Sequence, residues 1–109
     1  MAGWEQTHRR YRLVYAVADD ILRRGPEARD DWQGAIETEY GSTAAFLHDV
    51  LRRWRNALDA HSDEVGTRRL EEIEAAVSRA NAPLRAVLDA FAAHPVLAAR
   101  SGMHAVQPA

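Results

Sequence analysis

From Phe46 to His61, apolar residues return every three or four positions. Phe46, Leu47, Val50, Leu51, Trp54, Ala57 and Leu58, with His61, fill one side. At about 100° per residue they occupy a single arc about 140° wide. A half-buried strand would need a period of two, so this segment is committed to a helix with one buried side. The same period governs three other segments, and no strand pattern occurs anywhere. The expected fold is therefore all-α: a four-helix bundle, with room for a fifth short helix after Pro83 or Pro95.

The boundaries follow from the punctuation. The first helix is expected from about Trp4 to Arg24, with Trp4, Tyr11, Val14, Tyr15, Ala18, Ile21 and Leu22 on its apolar side. Asp19 and Arg23, like Asp20 and Arg24, are spaced for pairing along the helix. Gly25 suits a left-handed stop, and Pro26 suits an opening turn. The second helix runs from about Pro26 to Tyr40, with Ala28, Trp32, Ala35, Ile36 and Tyr40 inward. Gly41 ends it, and Ser42 is placed to cap the third helix, from about Thr43 to Ser62. A fourth runs from about Thr67 to His94. Its stripe of Leu70, Ile73, Val77, Ala80, Leu84, Val87, Leu88 and Phe91 keeps one phase through Pro83. That continuity favours one kinked helix, whereas Asn81 is the residue that would cap a fresh helix after a break. Residues 1–100 are read as one domain and 101–109 as a tail.

A chain of 109 residues is of single-domain size. Without cysteine it has neither disulfides nor thiolate metal sites. No window reaches the roughly 18 apolar residues of a membrane helix, and no apolar signal core opens the chain. A cytoplasmic protein without a membrane role is the expectation. All 14 basic residues are Arg, and Ala is abundant. Both residues have GC-rich codons, which points to a GC-rich bacterial genome.

The formal net charge of −2 provides no general attraction for phosphate backbones. Arg52, Arg53 and Arg55 surround Trp54, but the wheel turns Trp54 inward and the arginines outward. Asp49 is in reach of Arg52 or Arg53, and Asp59 of Arg55. These three arginines carry an alternative reading as a small DNA-binding regulator. A second alternative is a metal- or ligand-binding bundle, because His8, Glu39 and His48 would gather at one end. The "EQTH" sequence is a single Glu-x-x-His without the partner motif that di-iron bundles use. No phosphate loop, no nucleophile with a base and no cofactor motif is visible.

Length leads to the favoured reading. At about 1.5 Å per residue, a fourth helix of about 40 Å outruns neighbours of about 20–30 Å. Leu84, Val87, Leu88 and Phe91 would then overhang, while Leu13 and Val17 lie off the main apolar side of helix one. These six residues are the expected dimer interface of a non-enzymatic protein-interaction or regulatory module. Its expected partner is a second copy of itself or another protein, with nucleic acid disfavoured and no cofactor.

Overall fold

The computed structural model describes residues 2–65 and 70–98, and the backbone alone for a few of them. Among these the chain is all-α, arranged as α1 (Ala2–Arg24), a 3-10 segment (Pro26–Trp32), α2 (Gln33–Tyr40), α3 (Thr43–Val65), α4 (Leu70–Ala80) and α5 (Ala82–Ala90). A further helical turn covers 95–98. The arrangement is compatible with a four-helix bundle whose last helix is divided. The expected domain limit at residue 100, the tail 101–109 and the side chain of His61 lie outside the described residues. No helix is long and apolar enough to cross a membrane, among the residues described.

The glycine stops are where the sequence puts them. Gly25 and Gly41 have φ of 98° and 85°, and their N–H groups close the preceding helices on Ile21 O and Glu37 O. Ser42 caps α3, its Oγ accepting from Ala45 N at 3.1 Å. Asp19 and Asp20 pair with Arg23 and Arg24 as their spacing predicts.

Two elements differ from expectation. Residues 26–32 form a 3-10 segment rather than the start of an α-helix. Three residues per turn bring Ala28 and Asp31 onto one side. Ala28 enters the core, and Asp31 meets Arg24 at 2.7 Å. The segment's last residue, Trp32, sends its indole N–H to Asp20 at 2.9 Å. Tertiary contacts at Ala28, Asp31 and Trp32 thus favour the tighter winding.

The fourth segment is not one kinked helix. It breaks at Asn81 (φ −125°, ψ 45°), and α5 starts at Ala82. Asn81 works backwards rather than forwards: its Nδ2 donates to Val77 O at 3.1 Å and closes α4. Pro83 then sits in the first turn of α5, where a missing N–H costs no helical bond.

This break decides the packing. α5 lies against α1, α3 and the 3-10 segment. Leu84, Val87, Leu88 and Phe91 are all buried within the one chain. The overhang that was to form a dimer interface does not exist, because the stripe folds back as the centre of the core. Around it lie Val14, Val17, Ala18 and Ile21 from α1 and Phe46, Leu47, Val50, Leu51 and Trp54 from α3. The Phe46 ring meets Tyr40 edge-on and Phe91 at a tilt, with centroids 5.4 and 5.9 Å apart.

Candidate functional site

Helix α1 is rotated from the expected orientation. Val17 is fully buried and Leu13 is half-buried, so neither belongs to a free interface. Trp4, Tyr11 and Leu22 are instead 69%, 52% and 55% exposed. The aliphatic and aromatic residues together span too wide an arc for one contact. The β-branched, close-packing Val14, Val17 and Ile21 take the core, and the aromatic border is left outside. Trp4 stacks on His8 with centroids 5.4 Å apart, and Tyr11 tilts against Tyr15 at 4.9 Å. Trp4, Thr7, His8 and Tyr11 line a shallow, mostly apolar groove of about 310 Å³.

Beside that groove, across Thr7, lies a second depression of about 350 Å³. α1 contributes Gln6, Thr7 and Arg10, and α2 contributes Tyr40. From α3 come Ala45, His48, Asp49, Arg52 and Arg53. One turn of α3 thus presents Asp49 and its two arginines together, while Tyr40 arrives from the far side. The Tyr40 hydroxyl donates to Asp49 Oδ2 at 2.6 Å. Arg52 donates to Oδ1, and Arg53 reaches Oδ2 at 3.4 Å. Burial raises the cost of ionising Asp49. The bonds from Tyr40 and Arg52 and the charges of Arg53 and Arg52 outweigh that cost and hold its pKa below the ordinary value. Tyr40 is pushed far above its usual value by burial, then by its bond to the Asp49 carboxylate.

The arginines of the α3 surface are not alike. Arg52 is exposed, and Arg55 is exposed with no ion-pair partner among the described residues; the expected Asp59 pairing is not formed. Arg53 is largely covered, with 17% of its side chain exposed, and its guanidinium lies 5.7 Å from the Tyr11 ring centre. Trp54 is buried as the wheel requires. A basic group and an aromatic do meet here, but the aromatic is Tyr11 from α1.

His8, Glu39 and His48 do not form a cluster. Glu39 is taken by Arg9 at 2.9 Å and Arg10 at 3.5 Å. His8 lies under Trp4, and His48 stands at the cleft wall. Among the described residues, no three His, Cys, Asp or Glu side chains are placed to share a metal ion.

Asp20 was legible only as an i,i+4 partner. It is a buried carboxylate that joins α1 to the 3-10 segment, accepting from Arg23, Arg24 and the Trp32 indole. The bonds from Arg24 and Trp32 hold its pKa well below the carboxylate range, against the opposing effect of burial. Its contacts make it a structural clasp.

The family models, curated proteins and solved structures compared with the chain yield no match.

Proposed function

We propose that this chain is a non-enzymatic protein-interaction or regulatory module that self-associates through the exposed side of α1. The observation that carries the reading is the stripe of Trp4, Tyr11, Tyr15 and Leu22, three of whose four residues are more than half exposed. On the wheel these four fall within about 40° of one another. Their spacings of seven, four and seven read the same in both directions. In an antiparallel pair of α1 helices crossing near Leu13, Trp4 therefore meets Leu22, and Tyr11 meets Tyr15. A surface that matches itself under a two-fold axis is what an isologous dimer requires, and Trp and Tyr are the residues that most often anchor interfaces. A cytoplasmic setting suits a chain with no cysteine.

The test is the mass in solution. Sedimentation equilibrium at micromolar concentration should give twice the chain mass. Leu22→Glu, a change on an exposed site, should give a monomer with unchanged helicity. A wild-type mass that stays monomeric at all concentrations overturns the reading.

A further inference from the structure

The cleft between α1 and α3 has a donor surplus that its own residues do not satisfy. The Nε atoms of Arg10 and Arg53 are both buried; among the described residues Arg53 Nε meets no hydrogen-bond acceptor, and Arg10 Nε has only a long 3.5 Å ion-pair contact with Glu39 Oε2. Buried polar groups in folded proteins are nearly always hydrogen-bonded, and a donor left without an acceptor is costly. The local acceptors are already committed. Asp49 takes Tyr40 on one oxygen and Arg52 on the other, and Glu39 holds Arg9 and Arg10. Among the residues that line the cleft, Arg10, Arg52 and Arg53 stand against Asp49, three positive charges against one negative, an excess of two. That surplus surrounds a depression of about 350 Å³, within the size range of small-molecule sites.

We propose that the cleft binds the oxyanion group, carboxylate or phosphate, of a small molecule, with Arg10 and Arg53 as its principal donors. Planar guanidinium groups offer several N–H donors in a fixed fork, which suits both anions. Arg52 and His48, at the exposed part of the cleft wall, would meet the rest of the ligand. The cleft borders the α1 stripe, since Arg53 lies against Tyr11, but the anion titration is a readout separate from the mass in solution.

Inorganic phosphate and acetate serve as the two probes, each titrated at constant ionic strength against sodium chloride. The readout is the Nε–Hε resonances of the arginine side chains. Saturable shifts of Arg10 and Arg53 are expected with at least one probe, and a tighter response to phosphate or to acetate identifies which anion the site prefers. Arg53→Lys keeps the charge and loses the fork, and it should weaken binding roughly tenfold or more. Arg55→Gln, on exposed α3 surface outside the cleft, should leave binding unchanged. If Arg53→Lys fails to fold, Arg10→Lys carries the same expectation. Shifts that chloride reproduces, shifts that never saturate, or equal weakening by Arg55→Gln overturn the proposal, and the cleft is then satisfied by water.

Discussion

Trp54 and its three arginine neighbours show how far one helical turn separates roles. Trp54 fills the core, so Trp54→Ala should cost about 3–5 kcal/mol, as deletions of large buried aromatics do. Arg55→Ala on the wet side should cost less than about 0.5 kcal/mol. Arg53→Ala belongs between them, because its stem and guanidinium cover Tyr11 and help hold Asp49. Urea titration of the three variants gives the order directly, and equal losses at Trp54 and Arg55 would refute the assignment of sides. Asp49 predicts a pH effect. Its folded pKa lies below the unfolded value, so the unfolded chain binds the proton more tightly. The resulting stability is fully present above the ordinary carboxylate value of about 3.9 and is lost as the pH falls through the lower, folded value. Asp49→Asn should therefore show a flatter decline in melting temperature below about pH 4 than the wild type. An unchanged slope would mean that Asp49 contributes nothing to acid unfolding.

The elements were legible to different degrees, for physical reasons. Gly25, Gly41 and Ser42 act through their own backbone or nearest turn, so their effects were visible in the sequence. The side of α3 was legible because one arc holds all its apolar residues. The orientation of α1 was not, since its apolar residues cover too broad an arc and only α5 and the 3-10 segment decide which part is buried. The break at Asn81 was legible only as the less favoured alternative, for a related reason. Leu84, Val87, Leu88 and Phe91 keep the phase of Val77 although α5 leaves in a new direction, and periodicity carries no information about direction. The cleft was the least legible feature, as Arg10, Tyr40 and Arg53 come from three helices. Leu88 tests the break itself. As a core residue of α5, Leu88→Glu should bury an unpaired carboxylate and unfold the domain. Retained helicity with only a change in mass would restore the overhanging helix.

At the scale of the whole molecule, carboxylates gather many of the arginines among the described residues. Asp49 and Glu39 each hold two arginines, and Asp20 holds Arg23 and Arg24. With a net charge of −2, binding to mixed-sequence duplex DNA at physiological salt should be no tighter than the non-specific range of about 10⁻⁴ M. Fluorescence anisotropy showing submicromolar affinity with a steep salt dependence would instead favour the regulator reading of Arg52, Arg53 and Arg55. The place of α5 has a further consequence, in time rather than in space. The packing partner that α1 needs along much of its length is made some sixty residues later. Until residues 82–90 emerge from the ribosome, Val14, Val17 and Ile21 have no complete core to enter. Closing so long a loop is an entropic cost that local helix formation cannot offset early. The nascent chain is thus a set of exposed amphipathic helices until α5 is made, and the docking of that nine-residue helix completes the core.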